Sequence, residues 1–192
     1  MRCFNLCFTE DFRLNFKATL MTEQQFRTVY PHVINWIRDT LASHAAQAQI
    51  VASVRFRSLP LYFSPALLAS TKFVAVERVP MPPLSALGLS QFAAFEQGDN
   101  DGITYLDTFF VRRYRATDER LHFHELIHVI QWRLLGPERF LGAYADGLEV
   151  FGYRNSPLEV MAYDAEEAFV KAAQPFDAER LVVERLGKIL TL

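Results

Sequence analysis

Cysteine is almost missing from this chain: Cys3 and Cys7 are the only two in 192 residues, spaced C-x3-C with no further Cys or His close by. That excludes a disulfide framework and a cysteine-built zinc cluster. An excess of charge is missing too, since 20 basic residues against 22 acidic ones leave a net charge of −2. Nucleic acid and anionic membrane are therefore poor candidates for the main partner. Arg112-Arg113-Tyr114-Arg115, the one basic cluster, reads as a solvated strand end. No stretch approaches the roughly 18 apolar residues of a membrane span. Glu10-Asp11 interrupt the N-terminal apolar residues before a signal-peptide core of adequate length forms, so the expected compartment is the cytoplasm. Repeats, low-complexity tracts and linkers are also lacking, which gives a single domain over residues 1–192 as the expectation.

What is present is an ordinary globular mixture, 51% apolar, with 17 Phe that suit an aromatic-rich core. Thr22-Glu23-Gln24-Gln25 has the form of a capping box and opens a helix running toward Ala46, kinked or split at Pro31. Ile50 to Phe56 alternates like a strand, and Phe73 to Val79 is a second strand stopped by prolines. Leu89 to Phe95 suggests a short helix. Gln97 to Gly102 is a turn, more like a hairpin than a calcium loop because the terminal bidentate Glu is lacking. Ile103 to Arg112 is the strongest strand signal. Later come a short helix from Glu138 to Tyr144, an irregular segment from Asp146 to Tyr153, and helices from Ser156-Pro157 to about Ala173 and from Asp177 to Lys188. The fold class is α+β: helices flanking a small mixed or antiparallel sheet.

The chemistry is concentrated in His124-Glu125-Leu126-Ile127-His128, an HExxH pentapeptide inside an apolar run. The run reads as a helix capped by Thr117 or Asp118 and stopped by Gly136-Pro137. Residues four apart on a helix lie roughly 40° apart, so both imidazoles reach one metal ion. The carboxylate of Glu125 then reaches a water held on that metal. His122 lies about 200° from His124 and reads as a surface or capping histidine.

A hydrolytic zinc site takes three protein ligands and one water. No histidine follows His128, so the third ligand is a carboxylate or absent. Glu159 is the leading candidate, in the first turn of the next substantial helix. Ser156-Pro157-Leu158-Glu159 is also a capping box, which would give Glu159 a purely structural task. Asp146, Glu149 and Glu166 remain open.

The run His124 to Gln131 (HELIHVIQ), followed by Asn155 to Ala162 (NSPLEVMA), resembles the gluzincin type of zinc metallopeptidase. It is most similar to small bacterial HELxHVxQ domains of largely unassigned substrate. The similarity covers roughly residues 100 to 170 and is more specific in the first motif than in the second. It implies a minimal zincin-like domain, with zinc held by His124, His128 and Glu159 and with Glu125 as general base. It further implies that residues 103–112 form an edge strand along which a peptide or protein substrate adds. Two places depart from the pattern. Where many gluzincins carry an acidic residue four after the third ligand, this chain has Tyr163, with Asp164 one further to support His124. The oxyanion-stabilising histidine of larger members has no counterpart, which leaves Tyr153 as provisional donor ahead of Arg154, Tyr163 and Tyr144. The function expected is zinc-dependent hydrolysis of peptide or amide bonds. The alternative is a metal-binding scaffold that has kept the ligands and acts as an interaction domain.

Overall fold

Residue by residue, the apolar periodicity builds a four-stranded sheet wrapped by helices; the computed structural model describes residues 21–171 and 173–190. Cys3 and Cys7 lie outside them. Helix α1 (Glu23–Ser43) opens on the expected capping box, with Thr22 Oγ1 accepting from Gln25 N and the Gln25 side chain accepting from Thr22 N. Pro31 does not split it: the helix runs unbroken through that position and buries Val33, Ile34 and Ile37. β1 is only Gln49–Ile50, and the expected strand of residues 50–56 turns instead into a 3-10 segment at Val51–Val54. Arg55 then adopts a left-handed conformation (φ 56°), which ends any extended run.

Short helix α2 (Pro65–Ser70) leads into β2 (Lys72–Val76), and α3 (Ala93–Glu96) lies in the long connection that follows. The strand expected over residues 103–112 is two strands, β3 (Gly102–Tyr105) and β4 (Thr108–Arg112), joined by Leu106 and Asp107. Leu106 takes φ 58°, so the turn was disguised by an apolar residue where glycine or asparagine is usual. The sheet order is β1-β2-β4-β3, with β2 and β4 parallel and the outer pairs antiparallel. β4 is therefore interior and β3 alone is the edge on that side. The turn at residues 97–101 enters β3 rather than closing a hairpin. Its Asp99 and Asp101 pair with Arg112 and Arg115, and Glu77 pairs with Arg113, so each arginine of the basic cluster has an acidic partner.

Helix α4 (Glu119–Phe151) carries the HExxH motif and starts where expected, with Asp118 Oδ1 accepting from the Arg120 and Leu121 amides. Gly136 breaks it with φ 72° and ψ 164°, and Pro137 restarts helix at once. The second arm runs to Phe151, so residues 146–151, expected to be irregular, are helical. Trp132 and Phe140 stack across the break with ring centroids 4.0 Å apart. α5 (Pro157–Lys171) and α6 (Ala178–Leu190) follow, α5 burying Leu158, Met161, Ala162 and Ala165. The core lies between the sheet and the first arm of α4, where Phe109, Phe110, Phe123, Leu126 and Ile127 have no solvent exposure. Among the described residues, no helix is long and apolar enough to cross a membrane.

Candidate metal centre

One turn of α4 aims His124 and His128 at the same point, and α5 packs alongside to bring Glu159 to it. The two Nε2 atoms are 3.1 Å apart. Glu159 Oε2 lies 3.4 Å from His124 Nε2, and Oε1 lies 3.4 Å from His128 Nε2. These three buried residues form the one group of His, Cys, Asp and Glu among the described residues that can hold a metal ion. The capping-box alternative fails, because Ser156 Oγ is buried without a hydrogen-bond partner among the described residues and Glu159 turns inward.

The outer nitrogens explain why the inner ones are available. His124 Nδ1 faces a Glu166 carboxylate oxygen at 2.9 Å, which only accepts, so Nδ1 carries the proton. Gln131 Nε2 donates to the Leu158 carbonyl at 3.0 Å, which turns Gln131 Oε1 toward His128 Nδ1 at 2.8 Å. His128 is thereby also protonated on Nδ1. In the neutral imidazoles both Nε2 lone pairs then point at each other and at a carboxylate, an arrangement that calls for a cation. Glu159 Oε1 also accepts from Tyr144 at 2.6 Å, while Oε2 is buried with no hydrogen bond. That orphaned oxygen is the carboxylate's natural ligand atom.

Electrostatics tell the same story. Burial raises the Glu159 carboxyl, but His128 and His124 outweigh it and hold the group well below the usual range. Burial likewise opposes charge on His124, yet the carboxylates of Glu159 and Glu166 facing its two ring nitrogens raise its pKa to about 10. A proton thus takes the cation's place. Glu125 is raised, burial pushing it up against the pull of His124 and His128. Its carboxylate accepts from Thr104 Oγ1 at 2.6 Å across the gap to β3. β3 lies so close that a Cβ on Gly102 would come within 2.3 Å of Glu125 Oε1, so a side chain there would displace the Glu125 carboxylate.

The remaining candidates sort cleanly. Glu166 stands behind His124 and is bridged to Arg120, taking the supporting position expected of Asp164, which pairs instead with Arg185. Glu149 accepts from the Met21 amide and Gln91. Neither Glu149 nor Asp146 joins the metal-holding group. Tyr153 lines the cavity over the centre beside Tyr144, and burial and the Glu159 charge raise its pKa. Arg154 stacks on Tyr163 at 4.8 Å, and Tyr163 in turn packs on the His124 ring. His122 is no surface residue: Nε2 donates to the Ala116 carbonyl and the ring sits among Phe56, Phe73 and Phe109.

Thr104 and Gln131 are supporting residues that spacing did not assign, and Glu166, left open as a ligand, supports His124 instead. Gln131 alone left a signal, three residues after His128 on the same helix face. No family model matches the chain, and no curated protein or solved structure matches it either.

Proposed function

We propose that the protein is a zinc-dependent hydrolase of amide or peptide bonds. The observation that carries this reading is the convergence of two imidazole nitrogens and a carboxylate, with a second carboxylate, Glu125, adjacent to the first ligand. Ligand atoms around a tetrahedral zinc with bonds of roughly 2.0–2.1 Å stand about 3.3 Å apart. The separations of 3.1, 3.4 and 3.4 Å fit that edge.

Zinc bound by His124, His128 and Glu159 would lower the pKa of a water toward neutrality and polarise a carbonyl. Glu125 takes the proton as the water attacks, then delivers it to the leaving amine. Its burial supports this role by raising the carboxyl above its ordinary value, which favours taking up a proton. Thr104 holds one of its oxygens in place. Tyr153 is our choice of donor to the developing oxyanion. β3 is the edge strand beside which a substrate amide would lie. Metal analysis should give about one zinc per chain and clear loss in Glu159→Ala. Glu125→Gln should keep the zinc and lower the hydrolytic rate by roughly a hundredfold or more. Full activity in Glu125→Gln would overturn the hydrolase reading and leave a metal-binding scaffold.

A further inference from the structure

The cavity that opens onto the metal centre has walls that carry almost no charge. α1 contributes Val29 and Val33, the connection before β3 contributes Leu89 and Phe92, and the second arm of α4 contributes Leu141 and Leu148. Apart from tyrosines, its ionisable lining residues are Glu125, His128 and Glu159, which belong to the site itself. The space measures about 100 Å³, approaching the apolar cavities of about 150 Å³ that take up benzene. A phenyl or isobutyl group fits that space, and a lysine or glutamate side chain would find no opposite charge on its apolar walls away from the metal centre.

The edge strand adds a second, independent restriction. Arg112 N donates to the Asp101 carbonyl at 2.8 Å, so residues 101 and 112 form a hydrogen-bonded pair. Alternation along an antiparallel ladder then makes 103 with 110 and 105 with 108 the further bonded pairs, and turns the backbone groups of Gly102 and Thr104 away from β4. The outward carbonyl of Thr104 is already taken by the Trp132 indole N–H at 3.1 Å. Gly102 is left as the one residue of β3 with both outward groups to offer. Only about one residue's worth of pairing is open to a substrate, too little to hold a long extended chain.

We infer that the substrate is a short, neutral amide with one aromatic or branched aliphatic group seated in this cavity, and that extended polypeptides gain nothing from β3. The inference rests on the hydrolase reading above, but its test reads binding and not turnover. Calorimetry, supported by Trp132 fluorescence, would compare N-acetyl amides of phenylalanine and leucine with those of glutamate and lysine on the protein as isolated. The apolar amides should bind about tenfold or more tightly than the charged ones. Ala145→Phe, which fills the cavity, should abolish that preference, while Ala143→Phe on the exposed side of the same helix should keep it. A nonapeptide with a central phenylalanine should bind no more than about threefold better than the single-residue amide. Equal binding of charged amides, no binding of any, or a tenfold gain from the longer peptide would overturn the inference. Apolar selectivity without hydrolysis by the zinc-loaded protein would leave the cavity's preference standing and defeat the hydrolase reading alone.

Discussion

His122 and His124 sit two residues apart and are pushed in opposite directions, because one helix turns them into opposite surroundings. Burial among aromatic rings lowers His122 to about 4, although the Ala116 carbonyl opposes the shift. Between its unfolded value near 6.5 and that folded value, the unfolded chain binds a proton that the folded one refuses. Stability should therefore fall as pH drops through that window, by up to roughly 3 kcal/mol, and then level off for this group. Urea unfolding at a series of pH values, compared with His122→Phe, checks it; an unchanged slope in the variant would refute the assignment. This contrast also shows what residue-level reading can reach. The HExxH spacing put His124, Glu125 and His128 together because helix geometry is local, and Glu159 followed from the chemistry of a third ligand. Thr104 stayed hidden because it reaches the site from β3, where no periodicity links it to the motif, and Tyr144 and Glu166 were in view but in other roles, as an oxyanion donor and a metal ligand.

At the scale of elements, the decisive feature is the break in α4. Gly136 turns the chain so that Tyr144 on the second arm comes back over the centre to meet Glu159. Its φ of 72° with ψ of 164° lies in a region open essentially to glycine alone, and a Cβ there would meet nothing within 4 Å. Any cost of Gly136→Ala is thus backbone strain and not a clash. The variant should lose about 1–3 kcal/mol in chemical denaturation while keeping its helical circular dichroism; a neutral effect would show that the break relaxes freely. The Gly-Pro pair announced an ending, and an ending occurs there, but nothing in that pair says that helix resumes immediately. The reverse error arose at β3 and β4. Ile103 to Arg112 reads as one strand because Leu106 and Asp107 lack the usual turn signature, although Leu106 takes the positive φ that folds β3 back on β4. The sheet edge beside the metal centre consequently belongs to β3 alone, which shortens the surface a substrate could use.

For the whole molecule, the centre is a place where folding, protons and metal compete. Packing α4 against α5 buries His124, His128 and Glu159 together, at 4%, 5% and 2% exposure, so their mutual repulsion of lone pairs must be met inside the protein. Without metal, a proton on His124 meets it. Its raised pKa means that this contribution to stability is fully present below about 6.5 and is lost as pH rises through about 10. Glu159, held low by the same histidines, contributes above its ordinary 4.5 and loses that contribution as pH falls toward its depressed value. Zinc must displace the proton, so over the range where His124 is protonated each pH unit should tighten zinc binding about tenfold. At a zinc concentration of about a thousand times Kd the folded state gains about 4 kcal/mol. The rise in melting temperature on adding a fixed amount of zinc should accordingly be larger at pH 8 than at pH 6, and be abolished in Glu159→Ala. Calorimetric titration in two buffers of different ionisation enthalpy should count about one proton released per zinc. A zinc affinity flat across this range would mean that His124 is already neutral in the metal-free protein, and that the pair of carboxylates on it serves only to orient it.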